Sequence, residues 1–371
     1  LLDEPTAALI DFIMNGRVDI ASLSQERPVP CVVFDFGGGT CDVTVVAISA
    51  DASPAADRPA IPASLSSSLP PGLTVSQLAV SRFHRLGGGD IDAAIVHELL
   101  IPRLLAENGL APLDFKFGEK KKGLEPQLLG KAEALKMAMS SEIARLIKFG
   151  RYSPSTDKSA IVVRQPAVAC SLGSRGAFTL SDPSLSAAEF ERILAPFLDK
   201  DFLFARSTEY RMTQSIFAPL RDALDRAGHD ASDVALCVMV GGSSLIPQVR
   251  DAVRGFFPKA ACVFPEEDLE AKICVCRGAA WNAAVRKIVG RPFVEPVLHD
   301  GIALVTSDGK LNPLVPSRQA LPYPSDGSFL QERLQVPLDV PGPVRELRFE
   351  IVGQQDRQHV FNEVWSLPEG V

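Results

Sequence analysis

The stretch that most constrains the fold of this chain is residues 32–45. It contains an apolar run rich in β-branched residues, the three consecutive glycines Gly37, Gly38 and Gly39, and a second alternating run. This pattern predicts two antiparallel strands joined at a glycine turn. Glycines can turn successive backbone N–H groups toward one point, where Thr40 adds a hydroxyl donor. We therefore interpret the turn as a phosphate-binding loop, although three glycines alone fit an ordinary hairpin equally well.

Two further glycine turns favour the phosphate-binding interpretation. Residues 234–240 form a predicted buried strand, followed by a glycine turn and by a helix with Pro247 in its first turn. Residues 86–90 form the third turn, and Asp90 is predicted to cap a helix that runs to about Glu107. Each turn thus lies beside a strand or opens a helix.

In order and spacing, these segments resemble the seventy-kilodalton heat-shock chaperone (DnaK-type) family of the actin-like ATPase superfamily. Residues 35–42, 87–90, 241–247 and the opening segment 4–8 carry the resemblance, which covers about residues 1–290. It implies an α/β fold, namely an actin-like (ribonuclease H-like) ATPase lobe with a helical and β insertion. It also implies an ATP-binding, ATP-hydrolysing chaperone with ATP and Mg²⁺ as cofactors, and with ADP, unfolded peptides and co-chaperones as further partners.

The resemblance assigns roles to individual residues. Asp35 and Glu4 match the acidic residues near the magnesium ion and the attacking water, so they are the predicted catalytic residues and hold Mg²⁺ through water. Glu4 also fits the plain role of an acidic residue in the first turn of a helix. The predicted nucleotide-binding residues are Gly37, Gly38, Gly39, Thr40, Gly88, Glu133, Lys136, Ser140, Gly241, Gly242 and Ser243.

The nucleoside is assigned to one face of a helix predicted over about 125–140. Glu133, Lys136, Met137 and Ser140 share that face at helical spacing. Without the resemblance, the same face would be interpreted as an exposed Glu–Lys pair.

This chain departs from the family pattern near the predicted base. Leu245 stands where an arginine usually stacks on adenine, Lys272 stands where an aspartate is usual, and Asp3 replaces an asparagine. Met137 and Leu245 would flank the base without a cation–π contribution, which is worth about 0.5–2 kcal/mol. We therefore expect weaker nucleotide binding than in a typical member.

The sequence divides into a nucleotide-binding region and a β-rich region. Residues 1–292 are interpreted as a partial chaperone-type nucleotide-binding domain, with the end of a first lobe at 1–23, a second lobe at 24–292 and an insertion subdomain at about 88–205. Residues 293–371 are predicted to form a small all-β domain that faintly resembles the start of a peptide-binding β-sandwich.

The family's first phosphate loop and catalytic lysine precede the segment that matches Glu4, so we interpret the chain as divergent and truncated. On this interpretation the chain alone would not hydrolyse ATP, and apolar surface between Ala7 and Ile13 would be exposed. Residues 49–72 are rich in Ala, Ser and Pro and predict a flexible surface insertion.

Other elements follow from local signals. Strands are predicted at about 143–149, 160–170 and 176–180. A capping box at Ser186 opens a helical stretch, and a further helix ends at Ala227.

Composition and charge argue against several classes of partner and site. A net charge of −7 argues against nucleic acid or an anionic membrane as the main partner. The seven cysteines and five histidines lack ligand spacing, so we expect structural thiols and no zinc site. No apolar run reaches the ~20 residues of a membrane helix and no leader opens the chain, which predicts a soluble, cytoplasmic protein.

Two alternatives to the ATP-hydrolysing chaperone stay open. One is a non-catalytic nucleotide-binding scaffold, and the other is another actin-like ATPase, either filament-forming or a sugar kinase.

Overall fold

A six-stranded mixed sheet forms the centre of the chain. In spatial order its strands are β11 (Ala261–Val263), β10 (Leu236–Val240), β1 (Val29–Phe36), β2 (Cys41–Ala50), β3 (Leu73–Val80) and β12 (Val294–Glu295). Strand β10 is parallel to both β1 and β11, and β3 is parallel to β12. The pairs β1–β2 and β2–β3 are antiparallel. The predicted mixed α/β class and the predicted strand pair around the first glycine turn are confirmed.

The computed structural model describes residues 2–18, 27–50, 73–82, 84–201, 206–207, 212–265, 268–290, 294–295, 297–298, 300–317, 319–321, 323–324, 326–333, 345–355 and 357–367. The predicted insertion at 49–72 falls almost wholly on residues 51–72, which lie outside the described residues. Within the described residues, no helix is both long enough and apolar enough to cross a membrane.

Helices cover both faces of the central sheet and build the segment between β3 and β10. They are α1 (Glu4–Met14), α2 (Gly88–Ile95), α3 (Ile101–Glu107), α4 (Phe117–Glu119), α5 (Glu125–Lys148), α6 (Ala187–Leu194), α7 (Phe217–Ala227), α8 (Pro247–Phe256) and α9 (Asp268–Val289). Two π-helical turns, Val96–Leu100 and Lys120–Leu124, join α2 to α3 and α4 to α5. Short 3₁₀ turns span Gly173–Arg175, Ala195–Leu198 and Gly242–Leu245.

The remaining strands form smaller sheets. Four pairs are β4 (Val162–Arg164) with β7 (Ser184–Ser186), β5 (Val168–Ser171) with β6 (Ala177–Leu180), β8 (Arg206–Ser207) with β9 (Met212–Thr213), and β13 (Val297–Leu298) with β16 (Gln319–Ala320). A four-stranded sheet has the order β15 (Leu311–Val315), β14 (Ile302–Val305), β17 (Glu346–Gly353) and β18 (His359–Ser366). A separate all-β domain at 293–371 stays a prediction.

Alternation along β1 gives the central sheet two apolar faces. Val32 and Phe34 belong to a first core cluster, which also contains residues of α2, α5, α7 and α8. Cys31 and Val33 belong to a second core cluster, which is completed by α1 and by Cys274 of α9. The period of two along a strand is the reason that neighbouring residues enter different clusters.

Helix α1 is buried between the second face of the sheet and α9. Every residue from Ala7 to Ile13 is at most 2% exposed. The expectation of exposed apolar surface there is therefore wrong, because the sheet and α9 supply its packing partners. A Cβ on Gly278 would overlap the carbonyl group of Ala7 at the point where the two helices cross. Beside this crossing, Arg277 donates two hydrogen bonds, of 2.6 and 2.9 Å, to the carboxylate of buried Asp11.

The segment between β3 and β10 corrects three local predictions. Helix α5 continues to Lys148, so the strand predicted at 143–149 is wrong, because Ile143 and Leu146 extend the buried stripe of the helix. The strand predicted at 160–170 is replaced by the separate strands β4 and β5. Asp90 does not occupy the N-cap position of α2; its carboxylate accepts a hydrogen bond of 2.8 Å from the N–H of Gly87, which is the N-cap.

Two predicted helix signals are confirmed. The hydroxyl of Ser186 accepts from the N–H of Glu189, whose carboxylate accepts from the N–H of Ser186 at 2.9 Å, so the capping box opens α6. Helix α7 ends at Ala227, and Gly228 follows in the left-handed conformation with φ +74°.

Candidate functional site

Three glycine turns meet at one edge of the central sheet. The first turn (residues 37–40) joins β1 to β2, the second turn (residues 86–90) opens α2, and the third turn (residues 241–246) follows β10. Because β1 and β10 are parallel, with Asp35 opposite Val240, their carboxyl ends place the first and third turns side by side. Ligands of open α/β sheets commonly bind at such an edge.

Carbonyl groups of the first turn hold the other two turns. The carbonyl oxygen of Gly37 accepts a hydrogen bond of 2.9 Å from the N–H of Gly88. It also accepts one of 2.9 Å from the hydroxyl of Ser243 in the third turn. The carbonyl oxygen of Gly38 accepts from the N–H of Gly89 at 2.8 Å. All three turns are therefore linked directly by hydrogen bonds.

The first turn also offers three consecutive N–H donors. Among the residues that the structure describes, none accepts a hydrogen bond from the N–H of Gly38, Gly39 or Thr40. Gly38 and Gly39 are exposed, and Thr40 is half-buried. Successive N–H groups of this kind form an anion-binding concavity. The first turn therefore has donors that a phosphate group can use.

Gly88 and Gly241 occupy positions with no room for a side chain. A Cβ on Gly88 would overlap the hydroxyl of Ser243 and would lie 3.0 Å from Nζ of Lys136. Gly241 has φ +81°, and a Cβ there would lie 2.5 Å from Oδ1 of Asp35. The close approach of the second turn to the third, and of the third turn to the end of β1, thus requires glycine at both positions.

Asp35 lies half-buried at the end of β1, among other acidic groups. Asp42 is its partner in the β1–β2 register, and Glu4 begins α1 nearby. Burial, followed by the negative charges of Glu4 and Asp42, raises the pKa of Asp35 to about 6. A cation would relieve this repulsion, so the cluster fits a hard ion such as Mg²⁺ that keeps much of its water. Within the described residues, no three acidic, histidine or cysteine side chains form a direct ligand group.

A cavity of about 450 Å³ opens beside the turns, between α5, the third turn and α8. The residues predicted to bind the nucleoside, Glu133, Lys136 and Ser140, all line it. Its other lining residues are Gly38, Met137, Ser141, Ala144, Gly242, Ser243, Leu245, Ile246, Arg250 and Lys272. The structure thus brings predicted nucleoside-binding residues of α5 and predicted phosphate-binding residues of the glycine turns around one cavity.

The remaining predicted residues do not line this cavity. Gly37, Gly39, Thr40, Gly88 and Gly241 lie in the adjoining turns, and Asp35 lies next to them at the end of β1. Glu4 acts on Asp35 through its charge from the start of α1.

Lys136 takes part in a buried ion pair. Its Nζ donates to Oδ2 of Asp92 at 2.8 Å and to the carbonyl oxygen of Gly88 at 3.1 Å. The two side chains are only 10% and 9% exposed. The hydroxyl of Ser140 donates to the carbonyl oxygen of Lys136 at 2.8 Å. Lys136 therefore joins α5 to the second glycine turn.

Sequence reasoning missed Asp92 and Arg250. Asp92 lies four residues after Gly88, so helical spacing could have placed it beside the second turn. Arg250 lines the cavity, where it donates to the carbonyl oxygens of Ser244 at 2.9 Å and of Pro265 at 2.8 Å. Its guanidinium lies 4.0 Å from the ring centroid of Phe264. No local pattern indicated this position, because it depends on the path of the chain after α8.

Comparisons with known proteins agree with the resemblance. The family model described as Hsp70 protein matches residues 206–330. The chain is 25% identical over 338 residues to the heat shock cognate HSP70 protein of Trypanosoma brucei brucei, covering 87% of this chain and 38% of that protein. It is 27% identical over 310 residues to the chaperone protein HscA homolog of Shewanella oneidensis, covering 82% and 35%.

A third relative gives the same result. The chain is 25% identical over 327 residues to the chaperone protein DnaK of Picrophilus torridus, covering 87% of this chain and 40% of the relative. The chain thus spans about two fifths of the length of the curated relatives it matches. The segment matched by the family model contains the third glycine turn, α8 and α9. Over most of its own length, the chain is therefore similar to members of the Hsp70 family at low identity.

Proposed function

We propose that this chain binds ATP or ADP, together with Mg²⁺, between the three glycine turns and α5, and that it serves in an ATP-hydrolysing chaperone. The observation that carries the proposal is the row of N–H donors at Gly38, Gly39 and Thr40, directly beside a cavity of about 450 Å³. Phosphate groups need such donors, and the cavity volume is in the range of small-molecule sites.

Each part of the nucleotide has its own set of residues. The first turn, Gly37 to Thr40, would hold the β- and γ-phosphates. Gly88 and residues 241–243 would hold the α-phosphate and the sugar, and Glu133, Lys136 and Ser140 would contact the nucleoside. Because Lys136 is paired with Asp92, it would act as part of that ion pair rather than as an isolated charge.

Hydrolysis would depend on Asp35, with Glu4 beside it. A bound Mg²⁺ would neutralise part of the negative charge on the phosphoryl group that is transferred. The Asp35 carboxylate, which is ionised above about pH 6, would orient water next to the first turn. Phosphoryl transfer depends mainly on positioning and charge, so no covalent intermediate on the protein is needed.

Calorimetric titration of ATP, with and without Mg²⁺, tests the binding site. Glu133→Ala removes a charged hydrogen-bonding group of the cavity and should weaken ATP binding about threefold to tenfold. The matched control is Glu142→Ala, which alters a glutamate outside this cavity on the same helix and should leave the affinity unchanged. Absence of ATP binding, or equal losses in the two variants, would contradict the proposal.

Phosphate release tests the hydrolytic step separately. In the full-length protein, Asp35→Asn should abolish turnover while preserving much of the ATP affinity, because the carboxylate serves metal and water rather than the base. Turnover that is unchanged in this variant would remove Asp35 from the site. ATP binding without turnover in the full-length protein would favour the non-catalytic alternative.

Several finer assignments rest on the family alone. Two of the relatives are chaperone proteins, and binding of peptides and co-chaperones by this chain is a proposal made by analogy with them. The cytoplasmic location and the domain division at 292/293 stay predictions.

A further inference from the structure

Two of the seven cysteines face each other across neighbouring strands. Strands β10 and β11 are parallel, and Cys237 is the register partner of Cys262. Both side chains pack in the first core cluster, so they extend from the same face of the sheet. Adjacent strands lie roughly 4.8 Å apart. That spacing falls within the range of about 4.4–6.8 Å between Cα atoms that a disulfide requires.

Cys31 is close in the sheet but faces the other way. Its register partner is Leu236, whereas Val32 is the partner of Cys237. Cys31 accordingly belongs to the second core cluster, on the opposite face from Cys237. The sheet itself therefore separates this thiol from the Cys237–Cys262 pair.

The two facing thiols differ in reactivity. Cys262 is half-buried on an edge strand, and its hydrogen bond with Cys237 and the nearby Arg254 guanidinium lower its pKa. The same hydrogen bond and complete burial raise the pKa of Cys237 well above its usual range. Since the thiolate is the nucleophile, Cys262 is the thiol that an oxidant meets first.

We propose that the Cys237–Cys262 pair is a modification site that closes to a disulfide when the protein meets hydrogen peroxide. The Cys262 thiolate attacks one peroxide oxygen; an S–O bond forms, the O–O bond breaks, and the departing hydroxide takes up a proton to become water. The sulfur of Cys237 then attacks the sulfur of Cys262; the S–S bond forms, the S–O bond breaks, and a second water leaves with the Cys237 proton. Overall, two thiols are oxidised and one peroxide is reduced to two waters.

The position of the pair gives the bond a structural consequence. Strand β11 is three residues long and lies at the edge of the sheet, so it can shift toward β10 with little disturbance. Strand β10 leads directly into Gly241 of the third glycine turn. The disulfide therefore fastens the edge of the sheet to the strand that carries part of the candidate nucleotide site.

Mass spectrometry of the full chain tests the proposal. The protein is treated with hydrogen peroxide, alkylated without reduction and digested with trypsin, which releases Cys237 in residues 227–250 and Cys262 in residues 260–272. We expect a linked peptide pair, two hydrogens lighter than the sum of its parts, which a dithiol reductant separates. Cys262→Ser should abolish the link, and Cys31→Ser should leave its yield unchanged.

Further readouts make the outcome decisive. The exposed thiol of Cys276 reports that the oxidant reached the protein. In Cys237→Ala, Cys262 should stop at the sulfenic acid and react with dimedone, which tests the order of the two steps. Oxidation of Cys276 while Cys237 and Cys262 are both recovered alkylated would overturn the proposal. Loss of the link in Cys31→Ser to the same degree as in Cys262→Ser would do so as well.

Discussion

Replacing Gly241 by alanine should destabilise the protein by about 2–6 kcal/mol, because two separate costs meet at this residue. Its backbone has φ +81° and ψ 150°, a conformation that is essentially restricted to glycine and costs other residues about 1–3 kcal/mol. The added Cβ would also lie 2.5 Å from Oδ1 of Asp35 and from the carbonyl oxygen of Phe36. Relieving such overpacking costs a further amount of about 1–3 kcal/mol.

Two other glycines separate these costs. Gly228 has φ +74°, but a Cβ there has no neighbour within 4 Å, so Gly228→Ala should lose only the backbone term of about 1–2 kcal/mol. Gly242 has ordinary φ and an open Cβ position, so Gly242→Ala should be nearly neutral.

Urea unfolding followed by circular dichroism measures the three variants against the unmodified chain. We expect the order Gly241→Ala, Gly228→Ala, Gly242→Ala, from most to least destabilised. If Gly241→Ala were at least as stable as Gly228→Ala, the close contact between Gly241 and the end of β1 would be refuted.

Three further predictions concern charge and affinity. The native pKa of Asp35 lies above its unfolded value, so its contribution to stability is fully present below about pH 4 and is lost as the pH rises through 6. Asp35→Asn should therefore raise the free energy of unfolding by up to about 2 kcal/mol at pH 8 and leave it unchanged at pH 4. Urea unfolding at both pH values measures this difference. Arg277→Ala leaves buried Asp11 without its charged partner and should cost about 3 kcal/mol in unfolding free energy. Arg145→Ala, in an exposed pair, should leave stability nearly unchanged, and equal losses in the two variants would contradict the account of the α1–α9 contact. Leu245→Arg adds a cation beside the predicted base and should tighten ATP binding about threefold to tenfold by calorimetry, and unchanged affinity would place the base elsewhere.

The sequence predicted the elements whose signals are local and strong. The strand pair around Gly37 to Gly39, the capping box at Ser186 and the end of α7 at Ala227 all depend on residues close in sequence, and all are found. The convergence of Glu133, Lys136 and Ser140 on one cavity follows from helical spacing together with the resemblance.

The errors arise where tertiary contacts decide. The apolar residues at 143–149 fit a strand until the partners of α5 are known, and the burial of α1 depends on α9, more than 250 residues later. The Lys136–Asp92 pair and the position of Arg250 are likewise set by how distant segments pack, which no local pattern records. Local periodicity therefore identified helix faces, whereas the partners of those faces required the structure.

Hydrogen–deuterium exchange of the full chain, with and without ATP and Mg²⁺, tests the central claim most directly. If the nucleotide lies between the three glycine turns and α5, ATP should slow exchange at residues 38–40, 133–144 and 242–250. Exchange at His97 and Lys120, which line a separate cavity together with residues of α3, should be unaffected. Absence of protection at the first turn, or protection confined to that other cavity, would contradict the account.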